Sequence, residues 1–250
     1  MTHAFPAALL GAACLLAGQS ATASTVYGID FPAGDISFAD RVVSFTPGFG
    51  FGGGVAPCTD ASNALGVASA GPDSYLGECN GYVSLGEGGS LVLGFDDNLL
   101  VPSGDAAPDL QVFAGGDHDE HFLVLIGLAG KLDDWFALTG AEGSIFLGGS
   151  TGIDIDAAAG VMPGMAFSRV MIVDLPRYCN TATGVMEWSV GEACGLDIRH
   201  LPYDGPWAGV DIYGLGAIST VPAPIPLPAA GLMLATALGG LAALRRRSRG

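Results

Sequence analysis

Between its two apolar ends this chain offers no amphipathic helix of three turns. Glycine at 40 positions and proline at 15, about a fifth of the 250 residues, interrupt the candidates. Glycine weakens a helix interior through backbone entropy, and proline through its missing amide hydrogen. What lies between the interruptions is a series of short alternating or β-branched runs at 41–45, 82–85, 90–95, 109–114, 121–128, 144–147, 168–174, 185–190 and 210–218. Such runs, spaced by Gly, Pro, Asn and Asp, predict an all-β fold, an antiparallel β-sandwich of jelly-roll-like form. The one alanine-rich stretch, 155–159, is stopped by Gly160.

The ends read differently from the middle. Residues 7–17 form an apolar run of signal-peptide length, and Ala21-Thr22-Ala23 places small residues where a signal peptidase reads them. The expectation is a signal peptide over 1–23, cut after Ala23. An acidic ectodomain follows over 24–220, and a sorting segment over 221–250. That segment has three pieces in order: a Pro-rich stretch with Val221, Pro222, Pro226, Leu227 and Pro228, an apolar run from Ala229 to Leu244, and a cluster of Arg245, Arg246, Arg247 and Arg249. Sixteen residues span about 24 Å as a helix, against a hydrocarbon core of roughly 30 Å, so the anchor is a marginal one. The prolines deny it a clean extension outward, and the arginines hold its end on the cytoplasmic side. Gly231, Ala235 and Gly239 recur every four residues, a face that permits close approach of another membrane helix.

This ending resembles the PEP-CTERM class of bacterial sorting signals, in its VPLPA-type variant. The residues that carry the resemblance are 221–229 with the core Pro226-Leu227-Pro228-Ala229, the apolar helix 230–244, and the basic cluster 245–249. The resemblance implies processing by an exosortase, a membrane cysteine protease-transpeptidase, in a Gram-negative cell that makes exopolysaccharide. One departure is that Ile225 stands where the motif usually has valine, with Val221 displaced upstream.

Charge bounds the partners. With 9 Lys and Arg against 25 Asp and Glu, the net charge is -16, which leaves no basic footprint for a phosphate backbone and excludes nucleic acid. Loss of 1–23 and 229–250 would leave five basic residues against the same 25 acids, with Lys131 as the only lysine. Such a surface attracts cations, calcium among them. Cys14 would leave with the signal peptide. Cys58, Cys79, Cys179 and Cys194 remain, an even number that reads as two disulfides outside the cytoplasm. Three connectivities are open. The local pairs Cys58 with Cys79 and Cys179 with Cys194 are favoured because each closes one Gly-rich loop. The spacing is not that of a zinc ribbon.

Several constellations could carry chemistry. Gly148-Gly149-Ser150-Thr151-Gly152 satisfies the pattern of a nucleophile elbow, with Asp197 and His200 following in hydrolase order, but the elbow needs a strand-to-helix turn that this chain does not offer. Asp117-His118-Asp119-Glu120-His121 puts Asp117, Asp119 and His121 on one face if extended, a ledge for a divalent cation. Asp96, Asp97, Asn98, Asp105 and Asp109 form an oxygen-rich stretch between two runs, as do Asp154 and Asp156. Calcium, which takes six to eight oxygens, suits such loops. Trp135, Trp188, Trp207, Tyr203 and Tyr213 are candidate stacking faces for sugar rings, with core packing as their default role.

Gly89 to Phe95, Pro108 to Phe113 and Val210 to Ile218 also look like strands of a β-sandwich module found in secreted bacterial proteins, similar in outline to galactose-binding-like jelly rolls. Together these features predict an exported cell-surface or matrix protein with a non-catalytic binding or structural role, on exopolysaccharide or other surface glycans. Two alternatives stay open. One is a secreted hydrolase of glycans or esters using Ser150 or an acidic pair. The other is a permanent single-pass anchored structural protein.

Overall fold

The apolar runs at 90–94, 121–128 and 167–174 lie side by side at the centre of the larger of two antiparallel sheets. The computed structural model describes residues 22–49, 58–69, 79, 81–115, 121–138, 146–147, 150–175, 177–180, 185–188 and 209–224. Its strands are β1 (Ser24–Val26), β2 (Ile29–Phe31), β3 (Arg41–Thr46), β4 (Val83–Ser84), β5 (Ser90–Gly94), β6 (Asn98–Leu100), β7 (Leu110–Gly115), β8 (His121–Leu128), β9 (Trp135–Leu138), β10 (Phe146–Leu147), β11 (Thr151–Ile153), β12 (Phe167–Asp174), β13 (Arg177–Asn180), β14 (Val185–Trp188), β15 (Asp211–Ala217) and β16 (Thr220–Pro222). The helical content among the described residues is two 3-10 turns, Gly34–Ser37 and Ala61–Ala64. Each of the nine runs read from the sequence coincides with a strand or overlaps one.

The larger sheet has the order β10-β8-β12-β5-β3, with β9 also on β8, β6 on β12 and β16 on β6. The smaller has the order β11-β7-β15-β4, and β1-β2 and β13-β14 are separate hairpins. Alternation decides which residues meet. From β8, Phe122, Val124 and Ile126 turn inward. From β12, Phe167, Val170 and Ile172 do so after a bulge between Phe167 and Arg169. They pack against Leu110, Val112 and Ala114 of β7 and Ile212, Leu215 and Ala217 of β15, which makes one all-β sandwich core.

Strands β7 and β15 are buried along their whole length, because the outer face of the small sheet is covered as well. There Phe113, Tyr82 and Tyr213 meet Phe31 and Phe38 from the N-terminal segment, together with Cys58 and Ala68. Each apolar side chain so buried contributes about 1.5–3 kcal/mol. Glycines make the room: a Cβ on Gly216 would stand 2.5 Å from Phe31 Cε1. The Cys58–Cys79 disulfide ties the 58–69 segment over this second core. Closing a loop of that size restrains the unfolded chain by about 3 kcal/mol. The side chain of Cys179 and the whole of Cys194 lie outside the description, as do 1–21 and 225–250. Among the described residues no helix is long and apolar enough to cross a membrane.

Two ends of the sandwich matter below. At one, Leu128, Phe167, Leu100 and Thr220 form a row across β8, β12, β6 and β16. At this end β7 begins and β15 finishes, Leu110 pairing with Ala217. β16 starts here at Thr220 and runs back along β6 as far as Ala223, whose N–H donates to Asp97 O at 2.9 Å. The other end carries Asp174, Ser90 and Asp211.

Candidate functional site

A carboxylate cluster stands at the end where β7 begins. The β7-β11 ladder pairs Leu110 with Ile153, and Asp109 N–H extends it by donating to Ile153 O at 2.9 Å. That pairing brings the loop before β7 against the loop after β11. The carboxylates of Asp109, Asp154 and Asp156 offer oxygens that all lie within 4.8 Å of one another. Asp109 is fully buried, and the other two are half-buried.

Backbone amides partner these acids. Ser103 N–H donates to Asp109 Oδ1 at 3.0 Å, and Ile155 N–H to Oδ2 at 3.1 Å. Gly104 N–H donates to Asp156 Oδ2 at 2.9 Å, and Asp156 N–H to Asp154 Oδ1 at 2.9 Å. Gly104 has φ +86°, a left-handed conformation that glycine adopts freely, at the residue whose amide meets Asp156. Asp105 joins at the rim, receiving Ala107 N–H at 2.8 Å and lying 3.3 Å from Ser103 Oγ. Chemically the group does two things. It staples the 101–109 loop to the 153–156 loop through charge-assisted hydrogen bonds. It also presents an oxygen-only donor set, which suits a hard cation such as calcium over zinc.

The structure distributes the other expected ligands differently. Asp96 is engaged by Arg41, Nε to Oδ1 at 2.6 Å, and its own N–H donates to Asp40 Oδ2 at 2.7 Å. Burial, then the Asp40 and Asp96 charges, raise the carboxyl of Asp97 above the usual range. Asp117 and Asp119 lie outside the described residues, and His121 opens β8, half-buried. Asp109 therefore has Asp154 and Asp156 as its companions.

The remaining candidates fall as follows. Among the described residues Ser150 Oγ has no hydrogen-bond partner, and strand β11 follows it directly, where a nucleophile elbow would need a helix. Asp197, His200, Tyr203 and Trp207 lie outside the described residues, and so does the side chain of Trp188. Tyr213 is core, 2% exposed. Trp135 on β9 is half-buried and already has a partner on its ring, the Arg169 guanidinium at 4.7 Å from the centroid. Of the sorting residues, Val221 and Pro222 are strand residues of β16, opposite Leu99 and Asn98, so the expected boundary at 220 falls inside a strand. The described fold runs on to Pro224.

Sequence reasoning missed the buried acids at the opposite end. Asp211 opens β15 opposite Ser84 of β4, whose hydroxyl donates to its Oδ1. It is 8% exposed, and its carboxyl is pushed up to about 7 by burial, against the lowering effect of the Ser84 hydrogen bond. Asp174 closes β12 at 2% exposure, receiving Val210 N–H on Oδ1 and Gly88 N–H on Oδ2, both at 2.9 Å. The available signal was an acid at the very end of an apolar run, where one more apolar residue would have extended the strand. No family model, curated protein or solved structure matches this chain.

Proposed function

We propose that this chain is an exported surface or matrix protein, with a non-catalytic binding or structural role on exopolysaccharide, whose C-terminal segment is the handle for an exosortase-type membrane protease. The observation that carries the reading is the order of the pieces after the fold: Pro-rich stretch, apolar run 229–244, then four arginines. Support comes from sequence order, since the Pro226-Leu227-Pro228-Ala229 core follows β16, the last strand among the described residues. A Cys58–Cys79 disulfide suits an oxidising compartment. We extend the reading to the finer fold, taking the two-layer body as a jelly-roll-like module of the galactose-binding-like kind.

Intact-mass analysis of the native protein tests it. The expected mass lacks residues 1–23 and everything beyond a bond within 225–229, with the remaining thiols oxidised. A full-length, reduced chain recovered from cytosol would overturn the reading. Calorimetric titration with the producer's own polysaccharide checks the binding role, and ester or glycan turnover in the same samples would replace it with a hydrolase.

A further inference from the structure

We propose that the Cys58–Cys79 bridge is a site of covalent modification, at which a small neutral thiol adds to Cys79 by thiol–disulfide exchange while Cys58 is the thiol released. The two halves of the bridge stand in different surroundings. Cys58 is 1% exposed and belongs to the second core with Phe31, Phe113, Tyr82 and Tyr213, whereas Cys79 is exposed. Attack on a disulfide runs along the S–S axis, with the incoming sulfur opposite the leaving one, and its rate follows access. Approach from solvent therefore meets Cys79 Sγ and expels Cys58. Attack on Cys58 Sγ would have to come through the packed rings.

A thiolate expelled into apolar surroundings is a poor leaving group. Tyr82 offsets this. Its side chain is fully buried beside Tyr213, ring centroids 5.4 Å apart, and its hydroxyl lies 3.3 Å from Cys58 Sγ. A disulfide sulfur carries no hydrogen, so the hydroxyl is the donor. That hydrogen bond is weak to a neutral sulfur and about twice as strong once the sulfur carries charge, so it favours the transition state over the closed bridge. The exchange balances without an oxidant. The incoming thiol gives its proton to solvent, its sulfur bonds to Cys79 Sγ as the Cys58–Cys79 bond breaks, and the Cys58 thiolate takes a proton back.

The released sulfur stays where it can act again. Ser84 N–H donates to Cys58 O at 2.7 Å, Asn63 Nδ2 to Tyr82 O at 3.0 Å, and Gly66 N–H to Ala39 O at 2.9 Å, so the segment after Cys58 is fixed to the body by bonds that do not involve the bridge. Cys58 is then the resolving thiol: its attack on Cys79 Sγ expels the added thiol and restores the bridge. Charge selects the class of thiol. Asp60, exposed two residues after Cys58, is held ionised by the Ser62 hydroxyl and amide, and the chain carries 25 acids against 9 bases, which disfavours an anionic thiol.

The test incubates the oxidised full chain, in detergent micelles, with 2-mercaptoethanol, quenches with acid at early times and maps the adduct by peptide mass spectrometry, which reads Cys14, Cys179 and Cys194 separately. The adduct is expected on Cys79 with Cys58 reduced, about tenfold or more over the reverse, with near-equal partition when the chain is unfolded in urea. In Tyr82→Phe, uptake at Cys79 should slow about three- to tenfold with the partition kept, circular dichroism confirming that the variant is folded. Should that variant unfold, the partition in the parent chain decides alone. An adduct on Cys58, equal partition in the folded chain, or no adduct on either cysteine overturns the proposal. A folded Tyr82→Phe variant that reacts at the parent rate overturns the part assigned to Tyr82.

Discussion

Asp211 exchanges hydration for burial. With its folded carboxyl pushed up to about 7 from the ordinary aspartate value of 3.8, the folded state holds its proton more tightly than the unfolded chain does. Its contribution is fully present below pH 4 and is lost as pH rises through 7, a swing on the order of 4 kcal/mol at most. Asp211→Asn keeps an acceptor for Ser84 and removes the ionisation. Thermal denaturation across pH should find the variant equal to the parent near pH 4, increasingly more stable towards pH 7, and ahead by a constant margin above it. Asp109 behaves in the opposite sense as a substitution site, because both its oxygens accept buried or half-buried amides. Asp109→Ala strands Ser103 N–H and Ile155 N–H and should cost about 2–4 kcal/mol, whereas Asp109→Asn, retaining one acceptor, should cost about half of that. Urea denaturation of the two variants separates these outcomes.

Among the described elements, β15 has little freedom. It is buried on both faces, and Gly216 lies beneath the Phe31 and Phe38 rings, both at most 1% exposed. Gly216→Ala forces those rings to shift and should cost about 1–3 kcal/mol, measured as a lower denaturation midpoint with an unchanged slope. The long strands were legible in the sequence for the reason that makes β15 rigid: a strand at a sheet centre needs an unbroken apolar or alternating run, and β5, β8, β12 and β15 each have one. Strands of three residues, such as β6, β11 and β16, carry too few positions to show a period. The carboxylate cluster was half visible. Asp109 and the 154–156 pair were both marked as oxygen-rich, but their meeting depends on β7 pairing with β11, which no local pattern states.

Across the whole molecule the strands of the two sheets interleave in sequence, so a distant segment completes each neighbourhood; Ser84 and Asp211, hydrogen-bonded at the edge of the small sheet, are 127 residues apart. The last strand among the described residues is β16, which joins the row at Leu100 through Thr220. Ending the chain after Pro224 should leave the melting temperature where it was, while ending it after Ser219 should lower it by several degrees, as strand β6 loses one of its two partners; scanning calorimetry of the two truncated forms checks both. Since Ala223 N–H donates to Asp97 O beyond the last paired residue Pro222, severance downstream of Pro224 keeps every contact among the described residues. Under the processing proposed above, the sandwich would reach its lowest free energy while still tethered, and release would change where the molecule is without changing what it is.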